Sequence, residues 1–276
     1  MKSKGMIAIV CASCAFAQIK LLRRASGLET NLGFGMNAAW FRTEWVGYRS
    51  RLLAPTLIHV LGGDLQAFLI VTFFGLVLAG CLAWRLAGTG GLGILHAGFA
   101  MLAYPWFQPW DAFEPAIFTA FVLLIVESKS AGWFMALFTI AIFNRQSAMF
   151  IPLWMILSRR MMAAGLICAL FGMGVMWFLQ HSGQPKFGLF AFGSGYGNDY
   201  AQERLLENLR HTDWLVASIM ALILTAAFRA VRCGYQALGV TYLIMLVTIV
   251  VLGIVTETRV YLSFIPLWVL MPRTFA

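Results

Sequence analysis

The stretch Phe143-Asn144-Arg145-Gln146-Ser147 sets a polar island between one apolar run, Ala131 to Phe143, and another, Ser147 to Leu157. Both runs are too apolar for a soluble surface and stand too close together for an interdomain linker. The island is therefore a tight turn at a membrane face or a polar seam inside a helix bundle. In either place the Arg145 guanidinium requires a partner. Matching carboxylates stand near the ends of other apolar runs, Asp111 and Glu114 before one and Glu257 before another. This recurrence of charge at segment ends is the main functional signal in the chain.

Composition extends the same reading to the whole chain. Of 276 residues, 61% are hydrophobic and 11% charged, with mean hydropathy +0.82, whereas soluble domains carry about 25% charged residues. The expected fold class is all-α: a polytopic transmembrane helix bundle of about ten spans, within a range of roughly eight to ten, forming a single integral membrane domain over 1–276. A net charge of +9 does not indicate nucleic acid, because Lys and Arg occur singly or in pairs at the ends of apolar runs, as loop charges do in membrane proteins. Cys11, Cys14, Cys81, Cys168 and Cys233 lack metal-site histidine spacing and read as small packing residues. The apolar stretch after Lys2 and Lys4 has no convincing small-residue cleavage site before Lys20, Arg23 and Arg24, so it reads as a retained first span.

In chain order the expected spans are 6–22, 65–86, 91–104, 111–126, 131–143, 147–157, 161–179, 214–228, 237–255 and 261–271. The run 51–62 is too short to cross and is expected to be interfacial or re-entrant. The sixth span is well below the roughly 20 residues of a perpendicular crossing. Two longer sections, 23–64 and 181–213, are expected outside the cytoplasm with interfacial helices; the leucines within 202–210 share one helical face. With a cytoplasmic N-terminus, alternating crossings put Lys2, Lys4, Arg85, Lys129, Arg159, Arg160, Arg229, Arg232 and Arg273 inside, in accord with the positive-inside rule. Only Lys20, Arg23 and Arg24 run against it. The implied location is a bacterial cytoplasmic (inner) membrane.

That topology brings Arg49, Arg51, Asp111, Glu114, Arg145, Glu257 and Arg259 to one extracytoplasmic face. Asp111 and Glu114 are three apart at a helix start, so they point to one side and also suit the helix dipole. Such groups either hold helices together as ion pairs or line a cavity for an anionic headgroup or polar acceptor. His59 and His96 read as packing or hydrogen-bonding residues. The glycines at 188, 193, 195 and 197 are not followed by a Lys-Ser/Thr pair, so they form no phosphate loop.

Tyr48-Arg49-Ser50-Arg51-Leu52-Leu53-Ala54-Pro55, the aspartate of Trp110-Asp111, the Asn144-Arg145-Gln146-Ser147 turn before a run containing Pro152, and Glu257-Thr258-Arg259 before a run containing Pro266 resemble the spaced motifs of a group of bacterial polytopic proteins. That group is similar in layout to the GT-C type membrane glycosyltransferases, which draw sugars from polyprenyl-phosphate carriers. Its middle turn usually reads Asn-Arg-Glu-Thr, where this chain has Gln146 and Ser147. GT-C enzymes carry an acidic residue in the first extracytoplasmic loop; here that loop offers Glu29 and Glu44 and no aspartate before Asp64.

The resemblance implies transfer of a sugar from a polyprenyl-phosphate carrier to an envelope glycan or glycolipid. In that scheme Asp111 or Glu44 is the general base, Arg49, Arg51, Arg145 and Arg259 bind the phosphate, and Glu114, Glu257 and Asn144 orient them. The alternative of another class is a non-catalytic component that binds or translocates the lipid carrier. A proton-coupled transporter comes third, for want of an acidic residue in the middle of the longest spans. The expected partners are membrane lipid and the polyprenyl-phosphate carrier. No resident metal or other cofactor is specified, and a divalent cation is the one candidate.

Overall fold

The computed structural model describes residues 4–24, 27–39, 51–103, 107–181, 200–252 and 258–271. Glu44, Arg49, Glu257 and the glycine-rich stretch 188–197 lie outside the described residues. Among the described residues every regular element is helical: α1 (Lys4–Leu22), α2 (Leu28–Ala39), α3 (Leu53–Val60), α4 (Leu65–Ala103), α5 (Glu114–Val126), α6 (Ala131–Ala141), α7 (Phe150–Leu157), α8 (Met162–His181), α9 (Tyr200–His211), α10 (Trp214–Arg232), α11 (Gln236–Leu252) and α12 (Ile265–Leu270). The 3₁₀ turns Pro109–Ala112, Gln146–Met149 and Thr258–Phe264 sit between them.

Among the described residues five segments are long and apolar enough to cross a membrane: Gly5–Leu22, Leu65–Ala103, Pro109–Val126, Met162–Leu179 and Trp214–Arg232. The 39-residue α4 is two helices. Ala87 and Gly88 leave helical geometry, Gly88 at φ +64° and ψ −148°, a region open to essentially glycine alone. A methyl group on Gly91 would stand 2.5 Å from the Ala83 carbonyl oxygen, and one on Gly80 would stand 3.1 Å from Leu92 Cδ1. In a straight helix residues eight and twelve apart are separated by about 12 and 18 Å, so the chain folds back on itself at 87–90. The break lies between the expected second and third spans.

Runs expected as short spans form shorter helices. Residues 146–157 give a 3₁₀ turn and the eight-residue α7. Residues 258–270 give a 3₁₀ turn and the six-residue α12, and every side chain from Tyr261 to Leu270 is buried in protein. That last segment lies along the second half of α4: Thr258 Oγ1 donates to the Leu102 carbonyl oxygen at 2.8 Å, and Val269 lies beside Gly91. Hydropathy alone does not separate such a core segment from a lipid-facing one. Pro55, Pro115, Pro152 and Pro266 each fall in the first turn of their helix, where the missing N–H has no intrahelical acceptor to lose.

The expected shared face of leucines in 202–210 is oriented outward. Leu206 and Leu209 are exposed, while Asn208 is buried and donates from Nδ2 to the Val250 carbonyl oxygen at 2.8 Å. Trp214, which opens α10, is also exposed.

Charges gather at two levels along α5. At its C-terminal end Arg85 Nε lies 2.7 Å from Glu127 Oε1 and Lys129 Nζ lies 3.4 Å from Glu127 Oε2. At its N-terminal end stand Glu114 and, just before it, Asp111. Thirteen residues of helix separate the two levels, about 20 Å at 1.5 Å per residue.

Candidate functional site

The 3₁₀ turn Pro109–Ala112 places Asp111, and its own position is fixed by two glycines. A methyl on Gly35 of α2 would strike the Pro109 ring, and one on Gly75 of α4 would strike the Ala112 carbonyl. Lacking side chains, both helices let this turn lie directly on their backbones. The Asp111 N–H donates to the Gln108 carbonyl oxygen at 3.0 Å, and the Gln108 N–H returns a bond to Asp111 Oδ2 at 2.9 Å. Asp111 thereby closes its own turn.

Both Asp111 oxygens also face arginines. Arg145 Nη1 lies 3.3 Å from Oδ1, and Arg259 Nη1 lies 3.5 Å from Oδ2. The carboxylate is 0% exposed, and the two arginine side chains are 11% and 6% exposed. Charge-assisted bonds of this kind are strong where water is excluded, and losing one partner strands the other. Each arginine contributes one nitrogen to a different oxygen, so Asp111 bridges two guanidiniums.

Glu114, one helical turn further, is equally buried but has neutral hydrogen-bond partners. Ser147 Oγ donates to Oε1 at 2.5 Å, Ser263 Oγ to the same oxygen at 3.0 Å, and Asn144 Nδ2 to Oε2 at 3.2 Å. The same two segments, 144–147 and 258–264, thus serve both carboxylates. Ser263 is held in turn by its backbone: its carbonyl oxygen accepts from the Tyr242 hydroxyl at 3.2 Å.

Arg51 forms the third cationic side. Its guanidinium lies over the Trp110 ring, 4.7 Å from the centroid, and Nη2 donates to Gln146 Oε1 at 3.1 Å. Stacking of this kind is favourable for a desolvated guanidinium. The start of α3 is tied to the same place, the Leu53 N–H donating to the Phe143 carbonyl oxygen at 2.8 Å.

The centre therefore unites Arg51, Asp111, Glu114, Asn144, Arg145 and Arg259, six of the nine residues expected from the sequence. Glu44, Arg49 and Glu257 lie outside the described residues. Ser147, Ser263, Gln146, Gln108 and Trp110 also take part and were not anticipated as site residues. Their one signal is adjacency: Ser147 and Gln146 belong to the motif around Arg145, Gln108 and Trp110 flank Asp111, and Ser263 follows Arg259 by four positions.

Three arginines against two carboxylates leave one positive charge in excess among these described residues. The turns and helices that begin at Glu114, Gln146 and Thr258 also start at this centre, which adds the partial positive charge of their unpaired N–H groups. Among the described residues no donor reaches the buried Asn144 Oδ1 and Gln108 Oε1. The arrangement can hold an anion at its guanidiniums and receive hydroxyl donors at two amide oxygens. Among the described residues no group of three or more His, Cys, Asp or Glu side chains forms a metal-binding set, so a divalent cation would need ligands beyond these.

No family model matches the sequence, and no curated protein or solved structure is significantly similar to it. The likeness to GT-C proteins accordingly rests on the short motifs alone. The centre built by those motifs must be read from its own chemistry.

Proposed function

We propose that the chain is a multi-pass protein of a bacterial inner membrane that takes a lipid-linked phosphate at the buried centre and transfers a sugar from that polyprenyl-phosphate carrier to an envelope glycan or glycolipid. The observation that carries the reading is the layer of two buried carboxylates with the buried Arg51 and Arg259 and the partly buried Arg145, which leaves one positive charge in excess. A phosphate ester is the ligand such a layer complements. In the reaction a base takes the proton from an acceptor hydroxyl, the oxygen bonds to the sugar's anomeric carbon, and the bond from that carbon to the phosphate oxygen breaks. The electron pair leaves with the phosphate, where Arg145, Arg259 and Arg51 stabilise it.

Geometry bears on the choice of base. Asp111 is held by two arginines and a backbone N–H, which suits a residue that positions guanidiniums. Glu114, with serine and asparagine donors, suits proton transfer better among the described carboxylates. Glu44, outside the described residues, is the remaining candidate.

The charge levels support the orientation. α1 rises from Lys4 past Gly80, beside Cys11, to His96, whose carbonyl oxygen accepts from Gln18 Nε2 at 3.0 Å, so its N-terminus starts at the level of Arg85, Glu127 and Lys129. With that level cytoplasmic, the centre lies about 20 Å above it, beneath the outer surface of a hydrocarbon core about 30 Å thick. On this reading α4 contributes two crossings, and the short segments 131–141, 146–157, 236–252 and 258–270 bring the spans toward ten in a GT-C-like layout.

A second reading is favoured by the burial of both carboxylates: a non-catalytic component that binds or translocates the carrier. Purified protein in lipid nanodiscs, given a polyprenyl-phosphate sugar with a labelled sugar and a membrane extract as acceptor source, separates the two. Label appearing in acceptor, and lost in Arg145→Gln, supports transfer; carrier binding without any transfer supports the second reading; absence of both removes the lipid-phosphate assignment.

A further inference from the structure

Asn144 follows α6, held there by its N–H, which donates to the Ala141 carbonyl oxygen at 2.9 Å. Its side chain is fully buried, and Nδ2 donates to Glu114 Oε2 at 3.2 Å. An ionised carboxylate only accepts hydrogen bonds, so the amide must present its nitrogen to Glu114 and turn Oδ1 away. No donor among the described residues reaches that oxygen. The other orphaned amide oxygen, Gln108 Oε1, lies against α2, 3.2 Å from where a methyl on Gly35 would stand. Asn144 Oδ1 is therefore the acceptor left open beside the Glu114 carboxylate.

A buried acceptor without a donor is costly, and a native site that keeps one has a ligand or a water to fill it. The phosphate that the arginines complement cannot do so. A phosphate ester at neutral pH offers acceptor oxygens and, once ionised, no donor. Asn144 Oδ1 needs a hydroxyl on the same ligand, close to the phosphate. Asp111, which holds Arg145 and Arg259, and Glu114, which holds Asn144, stand three residues apart, about 5 Å along a helix axis. That step is comparable to the breadth of one sugar ring, so a sugar joined directly to the phosphate brings its hydroxyls to Asn144.

We propose that Asn144 distinguishes the carrier that bears a sugar from the spent carrier: its Oδ1 accepts a hydrogen bond from one sugar hydroxyl while the arginines hold the phosphate. The assignment rests on the lipid-phosphate reading above and adds the residue that reads the sugar. A site built around a hydroxyl rejects the analogue without it, because its own buried acceptor is then stranded. Once the sugar has gone, the bare phosphate keeps its arginines but loses this bond, and it leaves more readily than the donor.

The test uses the whole protein in phosphatidylcholine nanodiscs and equilibrium binding of farnesyl phosphate, bare or carrying glucose, galactose, mannose or N-acetylglucosamine. At least one sugar should tighten binding about tenfold or more over the bare phosphate, and removal of one particular hydroxyl from it should return binding to the bare level. Asn144→Leu should erase the preference and leave binding of the bare phosphate unchanged. Equal loss for both ligands would confine Asn144 to supporting Glu114, and a preference that survives the substitution would place sugar recognition elsewhere. Either result overturns the proposal and leaves the lipid-phosphate reading standing. So does a wild type that binds every ligand alike, with water filling the place at Oδ1. No binding of any of them overturns both. Should Asn144→Leu not fold, the monodeoxy sugars on the wild type decide alone: a loss confined to one position supports the contact, and no such position overturns it.

Discussion

Asp111 and Arg145 stand 34 positions apart in the chain, and Arg145 Nη1 lies 3.3 Å from Asp111 Oδ1 with the carboxylate fully buried. Arg259, from a third segment, shares the same carboxylate at 3.5 Å. The pairing is thus a three-body arrangement in which the single anion is the common member. Removing Asp111 disturbs more than removing either arginine.

Asp111→Asn should accordingly cost about 3 to 5 kcal/mol, since it leaves two guanidiniums facing a neutral amide in a dry site. Arg145→Gln should cost less, because Asp111 keeps Arg259. The double variant Asp111→Asn with Arg145→Gln should recover part of the loss. Melting in detergent, followed for the two single variants and the double variant, checks this; additive losses would show that the two residues do not interact.

Glu114→Gln tests the other carboxylate. An amide still accepts from the serines on one side but turns an NH₂ toward an existing donor, so a stability loss of about 1 to 3 kcal/mol is expected. If Glu114 is the base, sugar transfer should fall at least about 100-fold in the folded variant. Product formation measured beside the melting curve distinguishes the roles, and full turnover in a destabilised Glu114→Gln would confine Glu114 to holding the bundle.

The turn at the tip of α4 makes a local prediction. Gly88→Ala forces a side chain into φ +64°, ψ −148° and should cost about 1 to 3 kcal/mol. Gly90→Ala, with nothing among the described residues within 4 Å of the added methyl, serves as the control. Equal melting temperatures for the two variants would mean that the chain does not reverse at this turn.

Much of this arrangement was legible in the residues, and the boundary is physical. Charges in an apolar chain are rare enough to announce themselves, which is why Asp111, Arg145 and Arg259 could be expected together from three distant motifs. The partners of Glu114 could not: Ser147 and Ser263 carry no charge, and small hydroxyl residues are as common in packed helices as in sites. The break between 86 and 91 was expected from the gap between the apolar runs 65–86 and 91–104. The burial of 261–270 on every side was not visible, because an apolar run bears the same composition whether lipid or protein surrounds it.

Orientation is open to chemical labelling once the five native cysteines are replaced. Single cysteines at Ser128, Arg159 and Gly234, which lie at helix ends and retain some exposure, should resist an impermeant thiol reagent in intact cells. Cysteines at Gln66 and Thr212, exposed near the other ends, should react. The reverse pattern would place the centre toward the cytoplasm and remove an extracytoplasmic transfer.

Arg259 belongs to the segment lying along the second half of α4, and it is the last of the centre's described charges to leave the ribosome. Before it arrives, Arg51 and Arg145 balance Asp111 and Glu114, and the growing bundle can keep these four side chains neutral as a set. The segment 258–270 brings the fifth charge together with Ser263, which donates to Glu114 Oε1 at 3.0 Å. Arg259 is thus the charge that turns a balanced seam of two arginines and two carboxylates into an electropositive one.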